Sequence, residues 1–346
     1  MAARIAIAGA GLAGRLFAWA LARAGHSVSV FDAGPGPEPR FDGQGAAGFT
    51  AAGMLSPLAE QDCGGAEIAA LGWSSLALWP AIVSALPQAA RPRLALDGSL
   101  LLAHGSDRGA AQRALARMPG AQALSAEQLR ALEPALAPGL SGWLLPGEGL
   151  IHPVQAMTAL QQAARGVQWH WQQPVIELQP GALTLADGRR IEADWAIDTR
   201  GLGARPTLAV RGVRGEIVAL DLPGHGLLRP LRLLHPRHRV YLVPRSEREL
   251  LVGASEIESE DRSPVSLQSA VELMAAAHSV LPQLAEARIT RMDRNLRPAL
   301  PDNLPHTHAE PGLLRLNGLY RHGWLLAPAL VQQLLADSGL ASLEHS

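Results

Sequence analysis

Two kinds of hydrophobic pattern divide this chain. Residues 4–8, Arg-Ile-Ala-Ile-Ala, make the short continuous apolar run expected of a strand covered on both faces. A stretch rich in Ala and Leu, Arg15 to Ala24, reads as a helix stopped by Gly25, and Ser27 to Phe31 reads as a second strand ending at Asp32. Helical spacing returns over residues 66–85, 107–118 and 125–133, from Ile151-His152-Pro153 to about Arg165, over 264–280, and from Ala327 to Leu335. Ser125-Ala126-Glu127-Gln128 has the order of a capping box.

Strand patterns cover Val167–Trp171, Val175–Gln179, Leu183–Leu185 and Arg190–Glu192, which read together as a small meander turning at Asp187-Gly188. The buried run Trp195–Asp198 then enters Thr199-Arg200-Gly201. Gly215–Leu220, Arg239–Val243, Glu249–Gly253 and Leu313–Leu316 are further strands. Nucleotide-type α/β segments thus stand at the start, middle and end, with β-rich material between them. The expected fold class is α/β (α+β), with two interleaved domains. A Rossmann-like nucleotide-binding domain takes residues 1–80, 141–208 and 293–346, and a β-rich substrate-binding domain takes 81–140 and 209–292.

Gly9, Gly11 and Gly14 give the pattern G-x-G-x-x-G between the first strand and the first helix. Gly9 would make the tight turn, Gly11 would let backbone amides approach a pyrophosphate, and Gly14 would let helix and strand pack closely. Asp32 stands where a carboxylate accepts ribose hydroxyls and repels a 2′-phosphate, which disfavours NADP. This unit alone leaves NAD and FAD both open.

Composition narrows the chemistry. Of 346 residues, 30 are basic and every one is arginine. P-loop nucleotidases, pyridoxal enzymes, Schiff-base aldolases and the tyrosine–lysine dehydrogenases all need a lysine, and a permanently protonated guanidinium cannot replace it. A formal net charge of −1 supplies no field for nucleic acid or an anionic membrane. The single cysteine, Cys63, excludes a disulfide framework and a zinc–cysteine cluster, suits a reducing cytoplasm, and reads as a small buried hydrophobe. Arg15 and Arg23 interrupt the first apolar stretch, so neither a cleaved leader nor a membrane span is expected.

Six segments in order resemble the FAD-dependent amino-acid oxidases of the D-amino-acid oxidase superfamily, nearest to the glycine oxidases of thiamine biosynthesis. They are the Gly9-Gly11-Gly14-Asp32 fingerprint, Ala51-Ala52-Gly53-Met54-Leu55-Ser56-Pro57, and Gly215-Glu216-Ile217. Tyr241-Leu242-Val243-Pro244-Arg245 with Val252-Gly253-Ala254 follows, then Leu296-Arg297-Pro298 with Asp302 and Pro305, then Tyr320-Arg321-His322-Gly323-Trp324-Leu325-Leu326-Ala327-Pro328. The resemblance implies an FAD-binding domain with the cofactor held non-covalently at Gly9, Gly11, Gly14, Asp32, Ala52, Gly53, Met54, Val175, Gly201, Gly323 and Leu325. Gly323 and Leu325 would reach the flavin's pyrimidine end, and Val175 would meet the adenine through its backbone. Arg297 would fork onto a substrate carboxylate, Tyr241 would cover the substrate, and Arg321 would stand near the carboxylate or the flavin. No side chain beyond the flavin is implied as catalytic, and no metal.

The implied reaction is oxidation of glycine or a small amino acid or secondary amine. Hydride passes to flavin N5, the imine hydrolyses, and O2 re-oxidises the flavin to give H2O2. A related dehydrogenase with another electron acceptor, and a flavoprotein acting with a protein partner, are the alternatives; a homo-oligomer is compatible with any of them. The sarcosine-oxidase branch uses a lysine and a tethering cysteine that this chain lacks.

The residues taken alone keep other readings. Arg297, preset by the following proline, suits a carboxylate, yet it could pair with Asp293 or Asp302. Arg321 could cap a strand or pair with an acid, Tyr241 could be strand filler, and Tyr320 reads as packing. His235, His238, His306 and His308 read as solvated loop residues. His306-Thr307-His308 and Leu319 depart from the family's pattern, and both bear on substrate and electron acceptor.

Overall fold

The first apolar run becomes β1 (Arg4–Ala8), the Ala/Leu stretch becomes α1 (Leu12–Arg23), and β2 (Ser27–Phe31) follows after Gly25 turns with φ +83°. The computed structural model describes residues 2–62, 64–234 and 239–343, so Cys63, His235 and His238 lie outside the described residues. β1 is fully buried after Arg4 and pairs in parallel with β2 on one side. On its other side it pairs in parallel with β13 (Trp195–Asp198). β20 (Leu313–Asn317), β19 (His306–Glu310) and β9 (Gln168–His170) complete a sheet in the order β19-β20-β13-β1-β2-β9.

Two sequence expectations change here. Val167–Trp171 does not join the meander: β9 pairs in parallel with β2, because it follows the crossover helix α7 (Pro153–Ala163) and returns to the sheet as such units do. The His306-Thr307-His308 departure is β19, a polar edge strand held antiparallel to β20 by its backbone. The meander itself is β10 (Val175–Gln179), β11 (Ala182–Leu185) and β12 (Arg190–Glu192).

A second, larger sheet runs in the order β18-β14-β17-β16-β15-β5-β7-β6. Its strands are β18 (Arg288–Ala299), β14 (Arg211–Asp221), β17 (Glu249–Gly253) and β16 (Arg239–Pro244), then β15 (Leu231–Leu234), β5 (Ser99–Ala103), β7 (Ser141–Leu145) and β6 (Gln122–Leu124). One face packs on α8 (Leu267–Val280) through Val218, Leu231, Leu242, Val252 and Leu273. A small sheet of β3 (Met54–Leu55), β8 (Gly149–Ile151) and β4 (Leu94–Ala95) completes the strand pairing.

α2 (Ala47–Thr50) and α3 (Pro57–Glu60) precede α4 (Gly65–Ala85), which lies against the C-terminal helix α9 (Gly323–Ser338). α4 is long and apolar enough, by length and composition, to cross a membrane. Its Ile68, Leu76, Trp79 and Ile82 nevertheless sit in the core beside α1 and α9, and a Cβ on Gly72 would come within 2.9 Å of Leu325. α5 (Arg108–Leu115) and α6 (Ala126–Leu132) are peripheral; Ser125 and Gln128 exchange both bonds of the expected capping box.

Candidate active site

The first-turn amides of α1 have no intrahelical acceptor, and no side chain caps them. They open onto a cavity of about 850 Å³ that runs from the glycine turn to the inner face of the larger sheet. Gly9 has φ +101°, and a Cβ there would lie 2.6 Å from the Thr199 carbonyl oxygen. A Cβ on Gly14 would fall on the Gly9 carbonyl oxygen. Beside Gly11, by contrast, no atom comes within 4 Å of where a Cβ would project, so a bare backbone cradle faces the cavity. Thr199 Oγ1 donates toward the Ala8 and Gly9 carbonyls, at 2.9 and 3.0 Å, and locks β13 to this turn. The Asp32 carboxylate accepts from the Ala10 amide and the Gly34 amide, at 2.6 Å each. Each oxygen keeps a lone pair for a hydroxyl.

An uncapped helix start, a glycine cradle and an acid at the end of β2 are the donor set that fits a dinucleotide. A second helix adds to it. α9 begins at Gly323 without a side-chain cap, Gly323, Trp324 and Leu325 border the cavity, and nothing lies within 4 Å of a Cβ on Gly323. Its positive end therefore faces the cavity near the Ala51–Met54 wall. The residues present fit FAD, with Gly9, Gly11 and Gly14 at the pyrophosphate end and the α9 amides toward the flavin.

Strand register builds the far wall. Arg232, Tyr241, Gly253, Ile217 and Asp293 are direct cross-strand partners in one row across five strands. Gly253 leaves room for the Tyr241 ring, since a Cβ there would come within 2.6 Å of the hydroxyl oxygen. Gly215 does the same for Arg297, whose guanidinium passes over it. Arg297 Nη1 donates to the Arg214 carbonyl (3.3 Å) and Nη2 to the Ser255 carbonyl (3.1 Å). Among the described residues it has no carboxylate partner. Asp293 pairs with Arg291 at 2.8 Å, and Asp302 accepts from the Leu304 amide. Arg297 thus presents a charged fork, held only by two carbonyls, to the cavity. Burial pushes the Tyr241 phenol up, against the pull of Arg297, Arg245 and Arg232.

Arg321 stands differently. Its Nη2 donates to Glu60 at 2.8 Å and its Nη1 lies 3.7 Å from Glu256. Arg232 approaches Glu60 at 3.4 Å, and His322 Nδ1 lies 3.6 Å from it. Tyr320 bonds Glu256, and burial with that carboxylate holds its phenol protonated far above the usual range. Glu60, Glu256 and Arg232 were not singled out from sequence. Arg232 sits on a strand that the pattern did not reveal, and Glu60 ends α3, three residues beyond the segment 51–57 that was read.

Burial holds His322 neutral down to about pH 4, with Arg321 and Arg232 opposing its protonation and Glu60 favouring it. The folded pKa lies below the ordinary 6.5, so the unfolded chain binds the proton first. Stability is therefore present above pH 6.5 and drains as pH falls toward 4. The contribution is at most about 1.4 kcal/mol per pH unit in that window. His322→Asn is expected to flatten the melting temperature's pH dependence between 6.5 and 4; a slope equal to wild type removes the assignment.

Most of the expected cofactor residues border one cavity: Gly9, Gly11, Asp32, Ala52, Gly53, Met54, Gly201, Gly323 and Leu325. Gly14 packs beneath the turn. Val175 does not border it; its carbonyl accepts from Arg200 Nη1 at 2.9 Å, while Arg200 pairs with buried Asp198 at 2.8 Å. Among the described residues no group of three His, Cys, Asp or Glu could hold a metal, and His308 pairs with Glu310 at 3.2 Å.

A family model described as FAD dependent oxidoreductase (DAO) matches residues 4–337. The chain is 37% identical, over 97% of its own length and 98% of the relative's, to a Rhizobium etli protein named as a thiamine biosynthesis oxidoreductase, ThiO. A glycine oxidase of Geobacillus kaustophilus is 27% identical over 96% of this chain and 92% of its own. The crystal structure of glycine oxidase from that organism superimposes with a TM-score of 0.84, covering 99% of this chain and 95% of its own at 27% identity. A Bacillus cereus glycine oxidase structure, 21% identical over 97% of this chain and 95% of its own, shares the fold with a TM-score of 0.81.

Proposed function

The chain belongs to the DAO family of FAD-dependent oxidoreductases, which act here on CH–NH bonds, and from that premise we propose that it oxidises glycine or a comparably small amino acid or secondary amine to the imine. The observation that carries the reading is Arg297: a guanidinium with no acid partner among the described residues, aimed into the cavity. A planar fork is the best complement to an α-carboxylate. The ThiO-named and glycine-oxidase relatives support the same substrate class.

The chemistry FAD supplies is two-electron oxidation at the substrate's α-carbon, with return of the electrons to O2 as H2O2. The chain's own part is positional. Arg297 fixes the carboxylate end of the substrate, and Tyr241, flat over Gly253, covers it and keeps water out. Arg321, tied to Glu60 and Glu256, walls the cavity beside α9 rather than offering a free charge to the carboxylate. The imine leaves and hydrolyses in water. The one cysteine, Cys63, is not at the C-terminal position where the sarcosine-oxidase branch tethers FAD, so the cofactor is held non-covalently and acid or heat should release it.

The two-domain division read from sequence belongs to the same proposal: residues 1–80, 141–208 and 293–346 carry the cofactor and, through Arg297, the substrate's carboxylate contact, while 81–140 and 209–292 face it and supply Tyr241. Anaerobic addition of glycine or D-alanine to the yellow protein tests the whole reading. The expected result is loss of the visible flavin bands, then their recovery with H2O2 when air enters. Bands that fade and do not return in air point to a dehydrogenase with another acceptor. Bands unmoved by any free amino acid overturn the proposal.

A further inference from the structure

We propose that Arg245 is a positioning residue whose fixed charge, set behind the Ala51–Gly53 wall of the cavity, raises the reduction potential of the bound flavin. The proposal rests on the FAD reading above. Arg245 follows β16 and is 6% exposed. Its Nη2 donates to the Ala51 carbonyl at 3.0 Å and its Nη1 to the Ile151 carbonyl at 3.4 Å. Ala51 follows α2 on the way into β3, and Ile151 ends β8, the strand that pairs with β3. The Ile151 amide donates back to the Gly53 carbonyl at 2.9 Å, and Gly53 has φ +70° with no room for a Cβ against Ile151. The guanidinium is thus fastened to the peptide that carries Ala52 and Gly53 into the cavity.

What it lacks is an anion. Among the described residues no carboxylate lies within ion-pairing distance of Arg245. Glu249 is the acid whose field reaches it, and Arg93 and Arg291 add positive charge from nearby. Burial brings its pKa down to about 10, so it stays charged at neutral pH. Neither burial nor a neighbour turns this charge off, and the low dielectric behind the wall preserves its reach. A flavin that takes up two electrons and one proton gains one net negative charge. A fixed cation nearby stabilises that product over the oxidised form, and the potential rises. The chain has no lysine to do this, and the α9 terminus offers only partial charge.

Four variants test it, read by the midpoint potential of the bound flavin in a spectroelectrochemical titration, with flavin content measured alongside. Arg245→Met and Arg245→Gln are expected to move the midpoint to more negative values, while Arg245→Lys, which keeps the charge but not the fork, stays near wild type. A midpoint unmoved in Met and Gln variants, or moved as far by Lys as by Met, overturns the proposal. Glu249→Gln guards against loss of folding at position 245: removing the opposing acid should shift the midpoint upward, and an unchanged value there also overturns it. Wild-type protein that carries no flavin would defeat the FAD reading instead, so the two failures are distinct.

Discussion

Arg297→Ala is expected to raise KM for the carboxylate substrate by about 100-fold or more, with the flavin still bound and the melting temperature near wild type. The size follows from what is lost. A bidentate pair contributes two charge-assisted hydrogen bonds, each worth roughly 1.5–3 kcal/mol. The stability forecast follows from what Arg297 does without substrate: it donates only to the Arg214 and Ser255 carbonyls, at 3.3 and 3.1 Å. Removing a cation with no ionic partner among the described residues orphans none of their acids. Arg297→Lys should recover only part of the loss, because an ammonium cannot fork. Unchanged KM in the alanine variant would remove Arg297 from the binding role; an equal loss with an amine that has no carboxylate would do the same.

The second large effect separates two glycines of one motif. Gly14→Ala sets a methyl on the Gly9 carbonyl oxygen and 2.8 Å from Thr199 Oγ1, where backbone and a bonded hydroxyl cannot yield. The turn between β1 and α1 must open, at a cost of about 1–3 kcal/mol or more, and the protein should purify colourless and with a lowered melting temperature. Gly11→Ala meets no atom within 4 Å, so its apoprotein should melt like wild type. Its methyl occupies the cradle instead, and the FAD dissociation constant should rise by about 10-fold or more, an energy near 1.4 kcal/mol. A yellow Gly14→Ala protein with wild-type melting would contradict the packing argument. Wild-type FAD affinity in Gly11→Ala would contradict the cradle.

The N-terminal unit was legible because its determinants are local: a buried run, three spaced glycines and a terminal acid within 32 residues. β18 was not. Its sequence, RITRMDRNLRPA, is exposed over its first five residues and shows no alternation, so only pairing with β14 makes it a strand. β19 was hidden for a related reason, since an edge strand of HTHAE is held by backbone bonds and its side chains stay outside. The site divides in the same way. Arg297 and Tyr241 stood in the resembling segments, Arg297 with a proline behind it. Arg232 and Glu60 could not be found this way, because they meet only when α3 packs against the larger sheet beside β15. Arg245 stood in a recognised segment, but its partners, Ala51 and Ile151, are distant in sequence, and the absence of a carboxylate among them is a fact of three dimensions.

The central place of β1 in the sheet β19-β20-β13-β1-β2-β9 sets a timetable for biosynthesis. β1 leaves the ribosome first, but its partner β13 begins at Trp195 and the wall at Gly323 comes later still. At about 5–20 residues per second, the interval before β13 emerges is on the order of 10–40 s. During it one edge of β1, apolar from Ile5 to Ala8, has no neighbour in its own chain, and α1 lacks the α9 surface it packs against. The nascent chain therefore exposes that edge until β13 is made, and the cavity wall at residues 323–325 is added only after both strands.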